Sequence, residues 1–354
     1  MVFKTFGLLK IELFVLYRLI FGQKSGIIQR LCNIWKGMSE LFETFKATLS
    51  PMLVMFLCMI IGFAANKMKL APENTATVLS KLENYFLVPA LIINTFMRYC
   101  TVRSVTEQYK LILYCLAALV IALAVALPLS KVFAGDDEYR RNIYKYALAF
   151  GNFSFMGNAI VPAIMGDSML YNYMLYILPL NVVVYTWGVI ILIPKGEKTQ
   201  NVLKNLLNPI FVSILIGAAL GLSGLAESVP SFVRQTISSC SACMGPLAMI
   251  LTGFVIGSYD IGGLIKNKRV YIATFLRLIV LPTAFILLLR LLGADKNTLY
   301  LTLFAYGTPL GLNTVVFPAA YGGDTSTGAS MAMISHTLCV ITIPVMYALL
   351  TILF

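Results

Sequence analysis

Long apolar runs alternate with short polar connections along most of this chain. A run of about 20 apolar residues is long enough to cross roughly 30 Å of hydrocarbon as a helix. From residue 49 onward, the pattern predicts ten such helices and therefore an all-α, multi-pass membrane protein. The runs lie near residues 51–66, 79–99, 110–133, 143–165, 170–193, 208–225, 240–259, 270–292, 298–321 and 327–353.

The composition supports this fold class. The chain has 354 residues, of which 59% are hydrophobic and only 12% are charged. A typical soluble domain carries about 25% charged residues, because it must cover its surface with them. The chain is therefore expected to sit in a membrane, and the cell membrane (plasma or inner membrane) is the expected location.

The net charge of +12 is explained by the topology of the chain in the membrane, and nucleic-acid binding is not expected. Basic residues concentrate in every second connection, and the positive-inside rule places those connections in the cytoplasm. The first predicted helix then starts from the outside. The thirteen basic residues of the cytoplasmic set are Lys67, Lys69, Lys81, Lys131, Arg140, Arg141, Lys145, Lys195, Lys198, Lys204, Lys266, Lys268 and Arg269. The six of the opposite set are Arg98, Arg103, Lys110, Arg234, Arg290 and Lys296.

Residues 1–48 do not fit this scheme easily. Their basic residues fall all around a helical wheel, and no small-residue cleavage site of a secretory signal follows the short apolar stretch. An amphipathic interfacial helix is expected. Two alternatives remain open: an additional early span, or a natural start at Met38.

The remaining chain divides into two similar halves. Pro51, Pro89 and Pro162 recur as Pro209, Pro246 and Pro318, at offsets of 158, 157 and 156 residues. The pattern Ala-aromatic-Gly, ten residues, Pro-Ala, two residues, Gly starts at Ala149 and again at Ala305. Since each half has five predicted spans, the second half must be inverted in the membrane. The predicted units are 49–194 and 208–354, joined by a cytoplasmic link over 195–207, with 1–48 as an N-terminal segment.

The paired prolines at 162 and 318 predict two broken helices that cross near the middle of the membrane. Proline removes a backbone hydrogen bond, and in lipid such a break survives only where protein or water satisfies the freed groups. The N-terminal ends of two half-helices carry partial positive charge, and together at one place they favour an anion such as a carboxylate. The predicted substrate-binding residues at the crossing are Asn152, Gly157, Asn158, Pro162, Asn313, Thr314 and Pro318.

Few ionisable residues lie within the predicted spans, and each has two interpretations. Arg277 costs about 2.5–3.5 kcal/mol if it faces lipid, so it is expected inside the bundle. It either binds an anionic substrate or bonds a carbonyl or carboxylate of the protein. Glu83 is either interfacial or a coupling residue. Asp167 and Asp324 either cap helices or assist coupling, and His336 is either a core residue or a proton relay.

Enzyme chemistry is not expected. Neither a zinc-protease nor a serine-hydrolase motif occurs in any span. Cys240 and Cys243 resemble half of a metal site, but no second pair exists and His336 is the only histidine. No metal and no cofactor are therefore predicted.

Several stretches together resemble the auxin efflux carrier family, which belongs to the bile acid, arsenite and riboflavin transporter superfamily. The resemblance covers about residues 49–354. The stretches that carry it are Gly62-Phe63, 86–91, 151–158, Asn208-Pro209, 245–248 and Leu281-Pro282.

The resemblance implies ten spans, with the fourth and ninth crossing at Pro162 and Pro318 and the substrate beside the crossing. It also implies a scaffold of spans one, two, six and seven, often a homodimer, against which the other spans move as an elevator. Family substrates are organic anions: auxin in plants, and malate or malonate in several bacterial members. The central link of about a dozen residues resembles that of the short-loop bacterial members. Proton or sodium coupling stays open.

The leading hypothesis is a secondary active transporter that moves a small organic anion, a carboxylate or dicarboxylate, by alternating access. The alternatives are an ion channel, for which the spans offer almost no charged lining, and a transporter of a non-anionic small solute.

Overall fold

A computed structural model describes residues 26–194, 208–320 and 323–354, and all regular elements in these ranges are helices. Extended pairing in them is limited to an isolated antiparallel bridge between Gly151 and Leu310. The predicted link at 195–207 and residues 1–25 lie outside the described ranges. The helices of eight residues or more are α1 (Gly26–Lys67), α2 (Thr75–Tyr99), α3 (Val102–Ala134), α4 (Glu138–Ala149), α5 (Phe153–Met165), α6 (Asp167–Tyr176), α7 (Leu178–Leu192), α8 (Pro209–Leu222), α9 (Ser231–Gly257), α10 (Lys268–Leu291), α11 (Lys296–Tyr306), α12 (Asn313–Ala320) and α13 (Ser326–Leu353).

Six of these helices are long and apolar enough to cross a membrane, and a seventh span results if the bent pair α6–α7 is counted as one. The six are Trp35–Lys67 within α1, α2, α3, α9, α10 and α13. Ten uninterrupted spans are therefore not confirmed. The predicted spans at 143–165 and 298–321 are each divided in two, as α4–α5 and α11–α12, and the span at 208–225 is the 14-residue α8.

The outer faces of the long helices carry exposed apolar side chains. Leu57 and Ile61 on α1, Val120 on α3 and Ile341 on α13 are each more than half exposed. In water such continuous apolar surfaces are unfavourable, whereas a lipid environment accommodates them. They agree with a multi-pass membrane protein.

The N-terminal segment continues directly into the first span. Helix α1 passes through residues 48 and 49 without interruption, and it is 42 residues long, whereas about 20 residues suffice to cross a membrane. Pro51 lies inside it. The described part of the predicted N-terminal unit, from residue 26, is thus an extension of the first helix.

Helices α1 and α9 cross with their backbones in close contact. A Cβ atom on Gly62 would lie 1.9 Å from the Ile250 carbonyl oxygen, and one on Gly253 would lie 1.8 Å from that of Met59. Glycine at such positions allows helices to approach closely in a membrane, where association depends on packing rather than on hydrophobic burial. Helix α8 approaches α2 in the same way, since a Cβ on Gly221 would lie 2.5 Å from the Cys100 carbonyl oxygen.

The prediction that Pro162 and Pro318 break their helices was wrong in position. Pro162 lies inside α5 and Pro318 inside α12. The unwound segments lie 6 to 12 residues earlier, at 150–152 and 307–312. The sequence Gly-Thr-Pro-Leu-Gly at 307–311 explains the second break, because the residue before a proline avoids helical geometry and Pro309 lacks an N–H.

Two other prolines coincide with wider helical turns. A π-helical turn at Glu83–Leu87 precedes Pro89, and another at Leu276–Val280 precedes Pro282. A proline has no N–H and cannot complete the regular hydrogen-bond ladder of an α-helix. A π turn adjusts the preceding backbone without ending the helix. These turns contain Glu83 and Arg277, the two charged side chains that are completely buried in the described structure.

Replacing Gly253 by alanine tests the close crossing. Because the added methyl group meets the α1 backbone, we expect Gly253→Ala to destabilise the protein by about 1–3 kcal/mol. The melting temperature of the purified full-length protein in detergent measures this effect.

Gly37→Ala is the matched control, because no atom lies within 4 Å of a Cβ at that position in α1. Alanine favours a helix over glycine by about 1 kcal/mol, so this variant should melt at the wild-type temperature or above. Equal melting temperatures for the two variants would contradict a glycine-dependent crossing.

Candidate functional site

The two unwound segments lie against each other in the interior of the bundle. Helix α4 ends at Ala149 and α5 begins at Phe153, while α11 ends at Tyr306 and α12 begins at Asn313. Between them, the Asn152 N–H donates to the Pro309 carbonyl oxygen at 2.7 Å, within the antiparallel bridge. Backbone groups freed by one break are therefore partly satisfied by the other. We call these residues, 150–152 and 307–312, the crossing.

Glycines permit this approach. A Cβ on Gly151 would lie 2.6 Å from Arg277 Nη2 and 2.9 Å from the Thr308 carbonyl oxygen, and one on Gly311 would lie 3.1 Å from the Tyr146 ring. Any other residue at position 151 would force the two segments apart. The crossing thus has no room for a side chain at its centre.

Asn152 is held by the single histidine. Its Nδ2 atom lies 3.0 Å from His336 Nε2, and His336 Nδ1 lies 2.7 Å from the Ala332 carbonyl oxygen. Since a carbonyl oxygen only accepts, Nδ1 carries the proton and Nε2 accepts the bond from Asn152. The neutral ring is therefore fully hydrogen-bonded, and it fixes the orientation of the Asn152 amide.

Asn313 is held from the opposite half of the chain. Its Nδ2 atom donates to the Tyr146 hydroxyl at 2.7 Å. Asn152 of the first half is thus held by a residue of the second, and Asn313 of the second half by a residue of the first. Each asparagine therefore links one half of the chain to the other.

Arg277 binds the helix ends at the crossing. Nη1 donates to the Leu148 carbonyl oxygen at 3.5 Å and Nη2 to that of Ala305 at 3.3 Å, and the guanidinium lies 5.4 Å from the Tyr306 ring centroid. Leu148 and Ala305 belong to the last turns of α4 and α11, where the helix dipole leaves partial negative charge. Among the described residues, no carboxylate pairs with this buried guanidinium.

A cavity of about 370 Å³ lies beside α5, on the side that faces α2 and α9. It contains three of the predicted site residues, Asn158, Pro162 and Asp167. Its size falls within the range of small-molecule sites, which is about 300–1,000 Å³. We call it the inner cavity.

Two amide groups in the wall of the inner cavity lack hydrogen-bond partners. The Oδ1 atoms of Asn94 on α2 and of Asn158 on α5 are buried and bond to no described group. A buried amide without a partner costs about 1–3 kcal/mol. Such groups are available to a bound solute or to water.

A much smaller cavity lies at the crossing itself. It has a volume of about 20 Å³ and is bordered by Asn152, Asn313 and Asn181 of α7. A volume of about 10–15 Å³ is enough for one water molecule. This space is too small for a carboxylate, so Asn152 and Asn313 border a closed region in this structure.

The remaining predicted residues have local partners. A Cβ on Gly157 would lie 1.9 Å from the Tyr173 hydroxyl, and the Thr314 hydroxyl donates to the Gly311 carbonyl oxygen at 2.8 Å. The Pro318 carbonyl accepts from the Gly323 N–H. Asp324 is exposed and accepts from the Ser326 N–H at 2.9 Å, which places it before α13.

Glu83 lies apart from this constellation. It is completely buried in α2, and neither of its carboxylate oxygens has a partner among the described residues. Sequence reasoning expected an interfacial position as one alternative, and the side chain is instead enclosed.

Four residues near the crossing and the inner cavity were missed by sequence reasoning. Asn94 and Asn181 are amides in otherwise apolar runs, a signal that was available in the sequence. Arg98 was assigned only to an outer connection. Tyr173, whose hydroxyl donates to the Phe153 carbonyl oxygen at 2.8 Å, gave no signal, because tyrosines are frequent in such spans.

Substitution of Arg277 tests whether this residue positions the crossing. We expect Arg277→Gln to lower the melting temperature and the maximal transport rate, because two helix ends lose their compensating charge, an effect of up to about 2 kcal/mol in buried geometry. Arg290→Gln, near the end of α10, serves as control. An unchanged melting temperature with a raised KM for an anion would instead identify Arg277 as a substrate ligand.

Comparison with known proteins identifies the family. Residues 47–347 match the sequence profile of the family described as membrane transport protein. No curated protein sequence matches the chain. The match covers most of the chain, and it confirms the resemblance seen in its motifs. The chain therefore belongs to the membrane transport protein family, the family of the auxin efflux carriers.

Proposed function

We propose that this protein is a secondary active transporter that moves a small organic anion across the cell membrane by alternating access. The observation that carries this proposal is the inner cavity, a space for a small solute beside helix α5 of a membrane transport protein. Its two unpartnered amides, Asn94 and Asn158, are the groups proposed to bind the solute.

The proposed architecture is ten spans in two inverted repeats. If α4–α5, α6–α7 and α11–α12 each count as one broken span, the described helices amount to ten. The contacts are reciprocal, since the first helix of each half packs against the second helix of the other, α1 against α9 and α8 against α2.

The crossing favours a negatively charged solute. Helices α5 and α12 both begin there, and the positive ends of their dipoles attract anions. Arg277, which bonds to the ends of α4 and α11, adds a full positive charge at the crossing. In a medium of low dielectric constant these charges act over longer distances than in water. A carboxylate in the inner cavity would lie on the side of α5 that carries Asn158 and Pro162.

The inner cavity also suggests which parts move. Its walls come from α2 and α9 on one side and from α5 and α6 on the other. Helices α1, α2, α8 and α9 correspond to the scaffold of the proposed elevator, in which a homodimer would form through these helices. Movement of α5 and α6 against the scaffold would then carry the solute from one side of the membrane to the other.

Glu83 is the proposed proton-coupling residue. A fully buried carboxylate without a partner is costly as an anion, so its neutral, protonated form is favoured. Its π-helical turn lies in α2, the helix whose C-terminal part borders the inner cavity. Asp167 in the same cavity wall is a second candidate. His336 and Asp324 rank lower, because their side chains already have local partners.

Counterflow in proteoliposomes tests the transport proposal. We expect proteoliposomes that contain the purified full-length protein and are preloaded with unlabelled malate or malonate to accumulate the labelled solute with saturable kinetics. A linear, non-saturable flux would favour a channel. Uptake of uncharged solutes alone would favour a transporter of non-anionic substrates.

The variant Asn158→Leu should abolish this counterflow without destabilising the protein. The Asn158 side-chain oxygen bonds to no described group, so its loss leaves no protein atom unpaired. Asn172→Leu on α6 is the control, because Asn172 borders none of the described cavities. Normal counterflow by Asn158→Leu would place the binding site elsewhere.

A proton gradient tests the role of Glu83. If its protonation drives uptake, an inward gradient should accelerate wild-type uptake, and Glu83→Gln, a mimic of the neutral form, should transport without that acceleration. Glu73→Gln, on the exposed connection before α2, is the control. If the gradient accelerates uptake by Glu83→Gln as much as uptake by the wild type, proton coupling belongs to another group.

A further inference from the structure

Two cavities meet at Arg98. The inner cavity contains this residue, and a second cavity of about 460 Å³, the outer cavity, contains it as well. The outer cavity is bordered by the end of α2, the connection before α9 and the first turns of α9. Ser238 is the other residue common to both. The two spaces therefore adjoin at these two residues, and we call the adjoining pair, which extends from the bundle end toward α5, the path.

The guanidinium of Arg98 is available in this path. Arg98 is exposed, and no carboxylate or carbonyl among the described residues bonds to it. The neighbouring cation, Arg234 of the outer cavity, is bonded to Glu227. Arg103, on the same end of the bundle, is bonded to Glu107. Arg98 thus differs from both arginines around it.

The other charge in the inner cavity wall is Asp167, in the first turn of α6. The Arg234–Glu227 pair in the outer cavity contributes little net charge. Asp167 is negative and repels an anion. Of the two charged residues in the inner cavity wall, Arg98 is therefore the one that attracts an anion. Beyond it, toward α5, the cavity provides the unpartnered amides of Asn94 and Asn158.

We infer that Arg98 selects the negative charge of the transported solute at the junction of the two cavities. This inference rests on the proposed function and names the residue that gives it anion specificity. The guanidinium would bind the carboxylate as the solute passes from the outer to the inner cavity, and the amides would then bind the remainder of the molecule. A guanidinium suits this role because it offers two parallel donors to a carboxylate.

A purely structural role for Arg98 makes a different prediction. Arg98 lies in the last turn of α2, where a positive charge stabilises the helix end. If that were its whole role, its removal would lower the melting temperature and leave the affinity for anions and neutral solutes equally unaffected.

Binding to the purified full-length protein in detergent distinguishes the two roles. The probes are malonate, malate and succinate as anions and malonamide as the uncharged analogue of malonate, measured by titration calorimetry and thermal shift. For Arg98→Gln we expect the dissociation constant of the preferred anion to rise at least about tenfold, which corresponds to about 1.4 kcal/mol. Malonamide binding should not change, and Arg98→Lys should give an intermediate value.

Two control variants separate the effect of the Arg98 charge from a general perturbation of the protein. Arg103→Gln removes a cation from the same bundle end without touching either cavity, so it should bind anions as the wild type does. Asp167→Asn removes the opposing charge and should bind anions at least as tightly.

An unchanged anion affinity in Arg98→Gln overturns the inference, as does a wild-type protein that binds none of the three anions. Failure of the proposed function gives a separate signature. In that case wild-type protein binds the anion through Arg98 in detergent but shows no counterflow in proteoliposomes.

Discussion

Backbone groups inside a membrane must find hydrogen-bond partners within the protein, and the rest of this structure depends on how the crossing meets that requirement. An unsatisfied carbonyl or N–H in hydrocarbon costs several kcal/mol. Here the segment after α4 bonds to the segment after α11, through the Asn152 N–H and the Pro309 carbonyl. Each break therefore depends on the other half of the chain for part of its hydrogen bonding.

The side chains around the crossing follow from the same requirement. Helices that end inside the membrane expose carbonyl groups, and Arg277 donates to one such group from each half, at Leu148 and Ala305. The Tyr173 hydroxyl likewise lies within bonding distance of carbonyls at Phe153 and Phe304. A buried arginine is costly, but two helix ends and an aromatic ring compensate its charge. The buried charge thus belongs to the same system as the breaks.

The sequence allowed the all-helical membrane fold class and the asparagines beside the breaks to be predicted, because long apolar runs and the amides within them stand out. The ten-span inverted repeat stays a prediction. The position of the breaks could not be read from Pro162 and Pro318. A proline inside a membrane helix is tolerated where it lies against other parts of the protein, and here α13 approaches the Thr314 carbonyl, which Pro318 leaves free, closely at Gly328. The cavities also escaped prediction, since Arg98, Asn94 and Asn158 meet only through the packing of α2, α5 and α9.

The distribution of satisfied and unsatisfied groups indicates where a solute is recognised. Asn152 and Asn313 are bonded to His336 and Tyr146, so a ligand would have to replace bonds that already exist. Asn158 offers a buried amide oxygen without a partner, and Arg98 an unpaired cation, in connected cavities. Binding there satisfies groups that the protein leaves open, and this difference favours the cavity wall over the crossing itself. Under the proposed function, the crossing would supply rigidity and electrostatic potential, while the residues of the cavity wall would determine which solute is bound.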